Sequence, residues 1–117
     1  MTSILNAYLH CHSVVSDGTL TPEALAARAA ANGVELWALT DHDEVGGQET
    51  AAAAAKACGM RYVCGVEISV TFLNQTVHIL GLGVDPDNAA LRTGLATTRG
   101  GRTARAQAMA ADRKSVV

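Results

Sequence analysis

One modest hydrophobic core is the most that 117 residues can bury, and with aromatic residues at 3% it must be built from aliphatic side chains and alanine. A net charge of -2 and a pI near 6.0 exclude a general electrostatic pull on nucleic acid. Phosphate recognition would have to be local, and no stable nucleic-acid complex is expected.

The amino-terminal stretch Met1 to Asn6 lacks a basic region followed by a long apolar run, so no signal peptide is predicted. Ile4–His12 reads as a strand. Thr21, Pro22 and Glu23 form a helix start, with a capping hydroxyl, a proline at the first helical position and an acid in the first turn. That helix is expected to run to Asn32 and stop at Gly33. Val34–Thr40 reads as a second strand, apolar on both faces as in a buried parallel sheet. A second helix is predicted from about Gln48 through the run Ala51–Ala55, with Gly59 as its stop. Arg61–Phe72 and Gln75–Leu82 read as two further strands joined by a tight turn at Leu73-Asn74. From Ala89 to about Ala111 the chain reads as helical again, interrupted by Gly94 and Gly100-Gly101.

This β-α-β-α-β order predicts an α/β fold with a mainly parallel sheet, whose site lies at the carboxyl ends of the strands. No apolar stretch reaches bilayer length, so no membrane partner is expected. Cys11, Cys58 and Cys64 form neither a CxxC nor an even framework. They are expected to be reduced and mostly buried thiols of a cytoplasmic protein.

All four histidines fall in patches at strand ends. His10 and His12, two apart on a strand, point to one face and could grip a metal together with Cys11 turned away. Alone the pair could equally be structural or solvated. Asp17, Asp41, His42, Glu67 and His78 turn the reading towards metal. If Leu73-Asn74 is a two-residue loop, Phe72 pairs with Gln75, Ser69 lies opposite His78 and Glu67 lies opposite Leu80. Glu67 and His78 are then diagonal neighbours on one face, roughly 7–8 Å apart at the backbone. Val66 and Ile68 suggest a covered sheet, where an unpaired Glu67 would be costly. Imidazoles with carboxylates suit Zn, Mn or Fe. A carboxylate bridging two ions can activate water for attack on phosphorus or on an acyl carbon. Asp43 is expected to cap a helix, and Asp17-Gly18 could be no more than a turn. Arg99, Arg102 and Arg105 share a helical face and read as a solvated basic surface.

Five motifs, in order, carry a resemblance: Leu9-His10-Cys11-His12-Ser13, Ser16-Asp17-Gly18, Leu39-Thr40-Asp41-His42-Asp43, Gly65-Val66-Glu67 and His78-Ile79-Leu80-Gly81. Over residues 5–95 the chain resembles the PHP (polymerase and histidinol phosphatase) family, and within it the stand-alone bacterial phosphoesterases. The resemblance implies a distorted seven-stranded β/α barrel, TIM-like, with up to three divalent ions, Mn, Zn or Fe. It implies His10 and His12 on the first ion, Glu67 bridging first and second, His78 on the second, and Asp17 and His42 on the third. Catalytic roles would fall on Glu67 and His42. The implied substrates are small nucleotides such as a nucleoside 3',5'-bisphosphate, or the 5' end of an RNA.

Two departures from the family pattern stand out. Tyr8 occupies the position where the family usually has Asp, on the face of His10. The loss of that outer carboxylate is expected to weaken metal binding by about 10–100-fold. The second departure is length, since a barrel of this type takes about 200–250 residues. The family's later His, Asp and His ligands have no counterpart after His78. Residues 1–111 are therefore expected to be a partial PHP domain, and 112–117, which resemble a translated sequencing adapter, a non-native tail. Such a chain is expected to show little activity by itself and to associate or fold incompletely. Two other readings stay open: an amidohydrolase-type deaminase or amidase, whose barrels also begin with His-x-His, and a non-catalytic PHP-derived structural domain. The Thr40-Asp41-His42 patch and Glu67 fit the phosphoesterase better.

Overall fold

The computed structural model describes residues 5–101. Three short strands, β1 (Ala7–Tyr8), β2 (Leu36–Trp37) and β3 (Arg61–Tyr62), form a parallel sheet in that order. Ala7, Leu36 and Arg61 lie in one register row, and Tyr8, Trp37 and Tyr62 in the next. Two longer strands, β4 (Gly65–Phe72) and β5 (Gln75–Leu82), form an antiparallel hairpin. The crossovers are α1 (Pro22–Ala31) and α2 (Gln48–Ala57), and residues 89–101 are helical.

Local sequence explains the helices. Thr21 Oγ1 accepts from the Ala24 amide at 3.1 Å, Pro22 opens α1, and the chain turns out of the helix at Gly33, with φ of 79°. α2 begins after Gly47 without a side-chain cap and ends before Gly59, at φ 76°. Ala26 and Ala29 of α1 and Ala51 and Ala55 of α2 are buried with Cys11, Trp37, Leu39 and Met60. Their small side chains let the two helices pack closely against each other and against the sheet. Trp37, fully buried, donates its indole N–H to Cys11 Sγ at 3.3 Å.

Several expectations need correction. The ladder of the first strand is confined to Ala7–Tyr8, because the chain then takes on an extra residue. The Ala38 amide bonds to Tyr8 O, but the next such bond runs from Thr40 N to Cys11 O, three residues further along β1's segment rather than two. The expected strand 61–72 is broken at Val63-Cys64 into β3 and β4. There the Gln48 side chain intervenes: its Oε1 accepts from Gly65 N at 3.0 Å and from the Tyr62 hydroxyl, and its Nε2 donates to Leu39 O at 2.8 Å. Gly94, Gly100 and Gly101 do not interrupt the last helix, where Thr97 and Thr98 bond back to the carbonyls of Thr93 and Gly94. A helical glycine costs only about 1 kcal/mol. Of the three free thiols, Cys11 is buried, Cys64 half-buried and Cys58 exposed, so "mostly buried" holds for one.

The hairpin has the expected register, with Phe72 opposite Gln75, Ser69 opposite His78 and Glu67 opposite Leu80. Leu73 and Asn74 both have positive φ, 50° and 64°, as a two-residue turn of the I′ kind requires. The inner end of β4 continues beside residues 41–43. Glu67 N donates to Asp41 O at 3.0 Å and Asp43 N to Glu67 O at 2.9 Å, flanking the parallel bridge His42–Glu67. Among the described residues no helix is long and apolar enough to cross a membrane.

Candidate metal centre

The loop after β1 is shaped by a buried carboxylate. Asp41 accepts from Ser13 N at 2.6 Å, Ser13 Oγ at 2.7 Å and Ser16 Oγ at 2.7 Å. Gly18 closes the loop: its amide bonds to Ser13 O at 2.8 Å, and a Cβ there would lie 2.2 Å from His12 O. Only glycine fits. The tightened loop turns Asp17 back towards the strand end that carries His10 and His12. The buried Thr40-Asp41 segment, which follows β2, presents His42, and the bridge to Glu67 sets the carboxylate beside it.

The six side chains expected at the site converge. Glu67 Oε1 lies 3.2 Å from His10 Nε2, while its Oε2 lies 2.8 Å from His12 Nε2 and 3.1 Å from His42 Nε2. Asp17 Oδ1 is 2.8 Å from His12 Nδ1, and its Oδ2 is 3.3 Å from His42 Nε2. His78 joins through its ring, 5.3 Å from that of His42. Three overlapping sets each bring one donor atom per residue within 4.8 Å of the others: His10, His12 and Glu67; His12, Asp17 and His42; His42, Glu67 and His78.

A metal fits this arrangement better than a hydrogen-bond network does. His12 Nε2, His42 Nδ1 and Glu67 Oε2 are buried without a hydrogen-bond partner among the described residues. His12 Nε2 and Glu67 Oε2 are only 2.8 Å apart, yet they lack the angles of a hydrogen bond. Buried polar atoms left so are costly, and His12 Nε2 and Glu67 Oε2, both in the donor set with His10, are what a cation between them would satisfy. At Asp17 desolvation opposes ionisation, but the neighbouring His12 and His42, with hydrogen bonds from His12 and the backbone, hold its carboxyl below the usual range.

Some residues differ from their expected roles. Asp43 caps no helix. It is buried at φ 50°, and its Oδ1 accepts from Ser69 N at 2.9 Å. Arg99 is no free surface cation: its guanidinium donates to Asp43 O and pairs with Glu44 at 3.3 Å. Arg102 and Arg105 lie outside the described residues. Tyr8, on β1, is exposed. The supporting roles of Asp41, Asp43 and Ser69 had no separate signal in the sequence beyond their places inside the motifs.

The chain is 52% identical over 106 residues to a 3',5'-nucleoside bisphosphate phosphatase from Chromobacterium violaceum, a match covering 91% of this chain and 37% of that protein. It is 48% identical over 77 residues to a 5'-3' exoribonuclease from Haemophilus influenzae, covering 66% of this chain and 28% of the relative. Among solved structures it superposes on an amidohydrolase from Chromobacterium violaceum, solved with bound sulfate and no metal. The TM-score is 0.86 at 50% identity, over 94% of this chain and 39% of that one. It also superposes on a protein from Bifidobacterium adolescentis described as a metal-dependent phosphoesterase, with a TM-score of 0.85 at 32% identity, over 97% of this chain and 40% of that one. The chain thus spans under half the length of these relatives. Its mixed α/β fold corresponds to the amino-terminal part of their TIM-like barrel. The PHP domain model matches residues 8–111, and the chain belongs to the PHP domain family.

Proposed function

We propose that this chain forms the metal-binding part of a phosphoesterase that hydrolyses phosphate esters of nucleotides, either a nucleoside 3',5'-bisphosphate or the 5' end of an RNA. The observation that carries this reading is the Glu67 carboxylate. Its Oε1 faces His10, and its Oε2 faces both His12 and His42, as a carboxylate shared between neighbouring cations would. In this reading His10, His12 and Glu67 hold one ion, Glu67 and His78 a second, and Asp17 and His42 a third, with manganese, zinc or iron suited to such donors. Divalent ions held there supply Lewis acidity towards a phosphoryl oxygen and make water a stronger nucleophile near neutral pH. Glu67 fixes the spacing of the histidines. His42, whose Nε2 lies between Asp17 Oδ2 and Glu67 Oε2, ties the donors of the third ion to the shared carboxylate. The names of the relatives, a bisphosphate phosphatase and an exoribonuclease, support the substrate class. The domain is assigned to residues 1–111, and the location to the cytoplasm.

The test is phosphate release from a nucleoside 3',5'-bisphosphate after chelation and after readdition of manganese or zinc. An amide and a deaminase substrate run alongside, because one structural neighbour carries the name amidohydrolase. Turnover of those substrates with none of the phosphate ester would move the assignment to that chemistry.

A further inference from the structure

His78 stands apart from its companions at the site. It lies on β5, whose residues are nearly all exposed, whereas His12, His42 and Glu67 are enclosed by packed segments. An exposed ring on an outer strand keeps its rotamer freedom, and fixing it costs free energy unless something holds it. Directly across the hairpin is Ser69, buried, with its Oγ 3.1 Å from His78 Nδ1. Ser69 is itself anchored, since its amide donates to the carboxylate of buried Asp43 at 2.9 Å.

We propose that Ser69 is the positioning residue for His78: its hydroxyl accepts the Nδ1 proton, fixes the ring's orientation and tautomer, and leaves Nε2 as the atom that His78 offers to the group it forms with Glu67 and His42. This rests on the reading of His78 as a metal ligand. The chemistry is that of metal-binding histidines in general, whose second ring nitrogen donates to an oxygen that sets which nitrogen binds. A serine suits the role because its hydroxyl rotates to accept as readily as to donate. The row Asp43, Ser69, His78 thus ties the exposed strand to the buried segment that follows β2 and carries His42.

The experiment uses the full 117-residue chain. The ring nitrogens of His78 in metal-free protein are read by nitrogen-15 NMR at a pH where the imidazole is neutral. Manganese(II) and zinc(II) affinities are measured by titration for the parent chain, Ser69→Ala, Ser69→Thr and His78→Ala. The expected result is an Nδ1-protonated His78 in the parent chain and a shift towards the other tautomer in Ser69→Ala. Affinity should fall by about 10–100-fold in Ser69→Ala at the site that His78→Ala removes, and Ser69→Thr should restore both properties. A parent His78 protonated at Nε2 overturns the proposal without reference to any variant. So does a Ser69→Ala chain that binds metal as the parent does, or a loss that Ser69→Thr fails to rescue. If His78→Ala itself leaves metal binding unchanged, the assignment of His78 as a ligand fails, and the role of Ser69 with it.

Discussion

The two halves of the molecule are held together in different ways. The half built from β1, β2, β3, α1 and α2 encloses its own core, with Trp37, Leu39, Ala26, Ala51 and Ala55 fully buried. Among the described residues the β4–β5 hairpin is covered at its inner end, where Val66 packs with Val45 and Leu95. Its tip and outer strand are open: Phe72 is 65% exposed, Leu73 81% and Ile79 50%. The histidine and carboxylate cluster lies where the halves meet. The core half supplies His10, His12, Asp17 and His42, and the hairpin supplies Glu67 and His78. A rigid half thus sets the geometry, and a less enclosed half completes it.

The largest effect should come from cutting that junction. Glu67→Ala removes a side chain whose oxygens reach His10, His12 and His42. Metal content should drop by more than the roughly 10–100-fold that follows loss of an outer partner. Metal analysis after dialysis checks this. Retained metal at parental stoichiometry would mean that the halves do not share a site.

Next in size is the contrast in packing. Trp37→Ala should destabilise the chain by about 3–5 kcal/mol, because it empties a fully enclosed position. Phe72→Ala, at the open end of the hairpin, should stay within about 0.5 kcal/mol. Denaturant unfolding of both variants measures the difference. Equal effects would show that the hairpin tip is covered in solution, as an exposed edge strand with apolar side chains invites through self-association.

Gln48 joins the halves by hydrogen bonds alone, reaching Leu39 O in one and Gly65 N in the other. Gln48→Leu keeps much of the volume but strands those buried groups and the Tyr62 hydroxyl. A loss of about 1–3 kcal/mol is expected in the same unfolding experiment.

Gln48 also marks where sequence reading fails. Helix starts were legible because Thr21, Pro22 and Glu23 act within one turn, and the hairpin register because Leu73-Asn74 sets parity by counting. Four of the six converge from the segments that follow β1 and β2 in the parallel sheet, and Glu67 and His78 join them from one face of the antiparallel hairpin. The break between β3 and β4 was not legible, because it depends on a glutamine 17 positions before Gly65 in the chain. Gly65 itself is required there by Thr40, whose methyl would lie 2.7 Å from a Cβ at that position. Asp43 was misread for a related reason. A helix cap and a carboxylate bonded to the amide of Ser69, 26 residues away, have the same local sequence.

The smallest expected effect concerns Asp17, on the loop that leans over the junction from the core half. Its side chain is 59% exposed, so its attraction to His12 and His42 is screened by water, within the about 0.2–1 kcal/mol of exposed pairs. Its carboxyl titrates lower in the folded chain than in the unfolded one, with desolvation outweighed by the two imidazoles. Ionised Asp17 therefore adds stability above its unfolded value, and the contribution is lost as pH falls through the folded value. In metal-free protein the difference in melting temperature between the parent and Asp17→Asn should thus be present above the carboxylate range and close as pH falls through it. A difference that does not change with pH would mean that Asp17 acts on the loop as a turn residue beside Gly18, and that the core half orders its histidines without it.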